Sequence, residues 1–372
     1  MTPHTAVQDM GKRLNAMKKR NYLHIEIMRI VAVYFVIFNH TGKDGFLLFS
    51  TMPAAGAGFW ACLFLSVFCK FAVPMFLGIS GALLLSGPDE PLRAIWNRRI
   101  RRIAVTLLAY SLLYYIAELV KTGDRFEVRR FVKALYTAGI KGHLWYLYLF
   151  IAYLAVLPFL RALVRNLDDR YYVYLFAIAV FFDGILPAAE FLILKDTASM
   201  SRYIRITWLT DYAVLYPCLG YFMQNRISAK WIRKYLPWVW AFNIAGLSAS
   251  CFMTYLQLEV NDKSLQMFHN CFVMINFAAM FLTIRLLYER RSFGKTGTAL
   301  ISTLGKCSFG IYLWHIFVRE LPLFAGIPDF LTAAGFTRMA AVLVTCLVVM
   351  AVSCVITLIQ SKIPVLKQLV GF

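Results

Sequence analysis

YLHIEIMRIVAVYFVIFNHTG, residues 22–42, is an apolar run long enough to cross a bilayer as one helix, since about 20 residues at about 1.5 Å each span the hydrocarbon core. It nevertheless carries Glu26, Arg29, Asn39 and His40. Ionisable side chains are costly there, so by default they are functional candidates. Arg29 and His40 are eleven residues apart. At about 100° per residue both point the same way, about 16 Å apart along the axis. Glu26 lies within about 40° of His40 on that wheel. One stripe thus holds an acid, a guanidinium and an imidazole.

The remaining composition extends this reading. The 372 residues are 60% hydrophobic and 16% charged, with a mean hydropathy of +0.64. Soluble chains average about 25% charged and about 45–50% apolar residues. The fold class is therefore an all-α polytopic membrane protein. The net charge of +20 does not imply nucleic acid: no basic segment with interleaved aromatics lies outside the spans, and lysine and arginine collect in short loops, where they set topology and meet anionic lipid. The eight cysteines all lie in apolar runs without a CxxC pair, which indicates neither a disulfide framework nor a metal site. The opening residues lack an apolar signal core, so the first helix is expected to be retained as a span.

About ten spans are expected, near 22–42, 60–86, 102–120, 143–163, 171–187, 208–224, 237–257, 268–288, 299–323 and 337–360. GFLLFSTMPAAGAG, broken by Pro53 and glycines, reads as a loop or re-entrant piece. Basic residues dominate the N-terminal segment and alternate loops, including Arg93, Arg98, Arg99, Arg101 and Arg102, then Arg161, Arg165 and Arg170. That asymmetry places both termini in the cytoplasm. Residues 121–142 dissent with six basic residues and read as a short amphipathic helix on the outer surface. The expected organisation is a cytoplasmic segment at 1–21, a transmembrane domain at 22–360 and a cytoplasmic tail at 361–372.

Other polar side chains fall at membrane depth. Lys70 sits well inside FWACLFLSVFCKFAVPMFLGISGALLL and needs a partner or water; Pro74, Gly78 and Gly81 suggest a kink and close helix packing. Arg98, Arg99 and Arg102 open the third span, where arginine forks suit the oxygens of a phosphate-rich cofactor; a plain positive-inside stop is the ordinary alternative. His143 opens the fourth span, followed by Trp145 and Tyr146, which also suit an interfacial belt. His315 lies halfway along the ninth, with Ser308 and Tyr312 nearby. Histidines from three helices at mid-to-outer depth suggest one polar chamber, and Asp211 and Tyr212 are further candidates for it.

In order, Arg29-x10-His40, Lys70 followed by AVPMFLGISG, the arginines at 98, 99 and 102, the block His143–Leu147, and Ser308–His315 resemble the acyltransferase-3 family of bacterial integral-membrane acyltransferases. The resemblance covers most of the chain. It implies transfer of an acyl group, usually acetyl, from cytosolic acyl-CoA to a hydroxyl of an extracytoplasmic carbohydrate or glycolipid, in the inner (plasma) membrane and without a metal. It makes His40 the catalytic residue and Arg29 essential, and it associates Arg98, Arg99 and Arg102 with the CoA phosphates. Two departures stand out. Lys70 replaces a common arginine, and no appended hydrolase-like domain is read.

Acyl transfer to a hydroxyl needs a base near neutral pKa, an oxyanion stabiliser and a seat for CoA. The expectation is therefore His40 as base or acyl carrier, with Glu26 and Arg29 deeper along the thioester path. Arg98, Arg99, Arg102 and Lys70 form the cofactor set. His143, Trp145, Tyr146, Tyr312 and His315 form the acceptor set, and Tyr146, Tyr312 or Lys70 is the oxyanion donor. Expected partners are acyl-CoA, the acceptor and the bilayer, and a homo-oligomer is compatible with the sequence. The rival reading is a transporter or flippase of a glycan precursor, because intramembrane charges and kinked helices also mark substrate paths. Against it, the halves do not resemble each other. A sensing module, as in racemase-linked relatives, is the third reading.

Overall fold

Apolar runs bounded by charged or glycine-containing turns become helices, and no strand occurs among the described residues. The computed structural model describes residues 23–54, 56–194, 207–260, 271–289 and 293–371. The N-terminal segment expected at 1–21 lies outside them, as do the loop residues Lys195, Arg202, Arg205, Lys263, Arg290 and Arg291. In chain order the helices are α1 (Leu23–Asn39), α2 (Ala57–Leu84), α3 (Leu92–Thr122), α4 (Val128–Tyr136), α5 (Gly142–Asn166), α6 (Asp169–Ile193), α7 (Tyr212–Asn225), α8 (Ala229–Leu258), α9 (Val273–Glu289), α10 (Lys295–Glu320), α11 (Ile327–Ala333) and α12 (Arg338–Gln360).

Six of these are long and apolar enough to cross a membrane: α2, α3, α5, α6, α8 and α12. The described parts of α1, α7 and α9 have 17, 14 and 17 residues, around the lower end of the about 17–25 that a crossing takes. Helix α10 has 26 residues but includes Lys295, Lys306, Arg319 and Glu320.

The first helix stops at Asn39, three residues before the expected end. The amides of His40 and Thr41 turn back to the carbonyls of Ile37 and Phe38 at 3.1 and 3.0 Å. The Thr41 hydroxyl also donates to Phe38 at 2.7 Å, and Gly42 adopts φ +58°, which glycine takes without strain. His40 therefore stands on the closing turn rather than within the helix.

Helix α2 tightens to a 3₁₀ turn at Cys69–Phe71. Pro74 is the cause, because it has no N–H for the carbonyl of Lys70 one turn earlier. Side chains from neighbouring helices serve the adjacent carbonyls: Asn39 donates to Cys69 at 3.4 Å and Asn276 to Phe68 at 2.6 Å. Beyond the break, α2 crosses α7 at backbone contact. A Cβ on Gly81 would overlap the backbone of Pro217, and one on Gly220 the backbone of Gly78. In lipid such small-residue crossings replace hydrophobic collapse as the means of association.

The paired arginines do not precede α3 but lie inside it. The helix starts at Leu92 and widens to a π turn at Ile95–Ile100. The dissenting basic loop does form a helix, α4. Phe131 is buried against Tyr115 and Phe126, with ring centroids at 5.2 and 5.9 Å. Val128, Val132 and Tyr136 are exposed.

Replacing Gly220 by valine inserts an isopropyl group of three carbons into the α2–α7 crossing. Overpacking of this kind typically costs about 1–3 kcal/mol. The expected outcome is a lower thermal unfolding midpoint for detergent-purified Gly220→Val, with Gly294→Val, whose Cβ meets open space, as the unaffected comparison.

Candidate active site

One cavity of about 300 Å³ runs through the bundle between α1, α2, α3, α5 and α10. Arg29, His40, Arg102, His143, Trp145, Tyr146 and Tyr312 all line it. Small-molecule sites run from about 300 to 1,000 Å³, so this one accepts a slender chain rather than a whole nucleotide.

At one end three imidazoles meet. Ring centroids are 5.0 Å apart for His40 and His315, 5.2 Å for His143 and His315, and 6.2 Å for His40 and His143. Nδ1 of His40 lies 2.8 Å from the carbonyl oxygen of Val36. Nδ1 of His315 lies 2.6 Å from that of Tyr312. A carbonyl only accepts, so both Nδ1 atoms carry the proton. The Nε2 lone pair of His315 then faces Nδ1–H of His40 at 3.4 Å. This leaves Nε2 of His40 as an acceptor without a hydrogen bond among the described residues, on a residue that lines the cavity. His315 is fully buried and does not line the cavity; it orients His40. His143 is 2% exposed, and among the described residues neither of its ring nitrogens has a hydrogen-bond partner.

Of the proposed oxyanion donors, the Tyr312 hydroxyl is committed to the carbonyl of His143 at 2.5 Å. Lys70 does not line the cavity; its Nζ sits 4.4 Å from the Phe46 ring centroid. Tyr146 lines the cavity and its hydroxyl makes no hydrogen bond among the described residues. Arg29 faces the same space and is held by Glu26 at 2.9 and 3.1 Å. Glu26 itself is set against Gly305, where a Cβ would overlap it.

The other end is basic. Arg102 and Lys306 line it, together with Val370 and Gly371. The latter two belong to the segment expected to be a cytoplasmic tail. Arg102 Nε donates to the carbonyl of Gln368 at 3.0 Å, and Thr106 donates to that of Leu369 at 3.3 Å, so the segment packs on α3. Val370 is fully buried. Gln360 anchors the return by accepting from Tyr110 and Trp314 at 2.9 and 2.8 Å. Residues 364–371 thus form a strap across the basic mouth. Lys306 had a sequence signal, a lysine within an expected span; the strap had none.

Arg98 and Arg99 do not reach the cavity. Arg99 forms a two-pronged pair with Glu90 at 2.8 and 2.7 Å. Arg161, 2% exposed, lies 3.6 Å from the same carboxylate and donates to Leu84 at 2.9 Å. Arg99 therefore braces the α2–α3 turn against α5 and does not offer a free fork. Asp211, a sequence candidate for the chamber, caps α7 by accepting from Ala213 at 2.8 Å; Tyr212 packs on Trp145, with centroids 6.2 Å apart. Among the described residues no group of three or more His, Cys, Asp or Glu is placed to hold a metal ion.

Apolar helices of membrane-crossing length around one cavity lined by histidines and arginines are the build of an integral-membrane protein. The family model described as an acyltransferase domain, acyltransferase family 3, matches residues 22–358, nearly the whole chain. The chain belongs to that family and is a membrane acyltransferase. No curated protein and no solved structure matches it.

Hydrogen bonds from Arg99, with the charge of Arg161 beside it, hold the Glu90 carboxyl below its ordinary range. A depressed carboxylate stabilises the fold above its unfolded pKa of about 4.3 and stops doing so as pH falls through the lower folded value. The melting advantage of the wild type over Glu90→Gln should be constant near neutrality and shrink below about pH 4. Melting curves across that range check it; an advantage unchanged in acid would remove the ionic bracing.

Proposed function

We propose that this chain moves an acyl group, acetyl before others, from cytosolic acyl-CoA to a hydroxyl of an extracytoplasmic carbohydrate or glycolipid. The setting is the inner (plasma) membrane, with about ten spans and both termini cytoplasmic. The observation that carries the reading is a single cavity with Arg102 and Lys306 at one end and His40 and His143 at the other. Its volume fits the thioester arm, while the phosphates of CoA stay at the basic mouth. Arg102 keeps its terminal guanidinium nitrogens for them, since only Nε is bonded to the strap.

In this account His40 Nε2 takes the proton of the acceptor hydroxyl as that oxygen attacks the thioester carbonyl. Tyr146 donates to the oxyanion of the tetrahedral intermediate. The carbon–sulfur bond then breaks, and His40 returns the proton to the departing CoA thiolate. His315 keeps His40 in the tautomer that makes Nε2 the base. Arg29, balanced by Glu26, lies along the path. Trp145 and His143 shape the acceptor end.

Transfer of label from acetyl-CoA into carbohydrate of vesicles containing the chain tests this. General-base catalysis contributes about 10²–10⁴-fold, so His40→Ala should lose that much turnover; wild-type turnover would sink the assignment. Tyr146→Phe should lower kcat by about 10²-fold while leaving the KM for acetyl-CoA nearly unchanged. Arg102→Ala should instead raise that KM.

A further inference from the structure

Two cations near His40 have no role in the chemistry above. Arg319 lies one turn past His315 on α10, about 6 Å further along the axis. Its Nε is buried without a hydrogen-bond partner. Lys70 follows Cys69, whose thiol and carbonyl meet the Asn39 side chain at 3.4 Å each, immediately before His40. Arg319 shares a helix face with His315, whose ring meets that of His40 at 3.4 Å. Neither lines the cavity that contains Arg102.

Among the described residues neither cation has an ion pair or hydrogen bond; Lys70 meets only the Phe46 ring, at 4.4 Å. The acids nearby in sequence are engaged elsewhere. Glu320 accepts from Lys121 and Lys141 at 2.9 and 2.8 Å, and Asp44 is paired with Arg338. Two partly buried cations without a counter-charge among the described residues, in a protein of this class, are costly to fold. The compensating anion then comes with a ligand.

Resting on the acyl-transfer reading, we propose that Lys70 and Arg319 form an anion-binding site beside His40, and that the acceptor is a sugar carrying a carboxylate or phosphate near its reacting hydroxyl. The anion orients the acceptor so that the hydroxyl reaches Nε2 of His40. The donor phosphates use the separate mouth at Arg102.

The test is thermal stabilisation of the detergent-purified full chain by glucose, glucuronate and glucose 1-phosphate. Charge-assisted hydrogen bonds justify expecting half-saturation at about tenfold lower concentration for at least one anionic sugar than for glucose. Which of the two binds tells carboxylate from phosphate. Lys70→Met and Arg319→Met should each abolish that preference, Lys70→Arg and Arg319→Lys should keep it, and Arg102→Met should keep it too. The proposal is overturned if neither anionic sugar outperforms glucose, or if the preference survives both methionine variants. Binding does not require turnover. An intact preference without label transfer would leave this site standing and reject the acyltransferase mechanism instead.

Discussion

The site depends on how closely α1 approaches α10. Gly305 makes that approach, because any larger residue would occupy the place of Glu26. Fourteen positions along α1 from Glu26, His40 meets His315, ten positions along α10 from Gly305. The two helices therefore run in the same direction, in contact at both ends. A partly buried ion pair sits at one end and an imidazole pair at the other. Without the first contact Glu26 would lose its seat beside Arg29, and the guanidinium would face the cavity without its carboxylate.

From that contact the chemistry follows by geometry. Backbone carbonyls one turn back fix the protons of His40 and His315, and the close approach puts one lone pair against the other's N–H. The result is an imidazole with a defined free nitrogen at the head of a narrow cavity, placed as the proposed base would be. Closure at the opposite end comes from the strap at residues 364–371. The Gln368 carbonyl holds Arg102 Nε, so the guanidinium is fixed at that mouth. Preorganised charge of this sort needs no rearrangement during reaction.

The helical class and the polar stripe of α1 were legible because hydropathy and the 3.6-residue period are local. Two other features were not. Whether an arginine is free depends on what sits across a turn: Arg99 looked equivalent to Arg102, yet Glu90, nine positions earlier, occupies it. The strap was equally hidden. Its short apolar stretch reads as a tail until α3 presents Arg102 and Thr106 to its carbonyls. The end of α1 also escaped, because the period continues through His40 while Asn39, Thr41 and Gly42 stop the helix. Pro74, by contrast, signalled the break in α2, and its position explains why the break falls at Cys69–Phe71.

The central claim is that one cavity carries the acyl donor from Arg102 to His40. A density map of the purified chain with a non-hydrolysable acetyl-CoA analogue tests it most directly. The account predicts phosphate density against Arg102 and Lys306, with the acyl carbonyl beside His40 Nε2 and the strap in contact with the pantetheine arm. A donor bound elsewhere, or one whose acyl end stops short of His40, would contradict it.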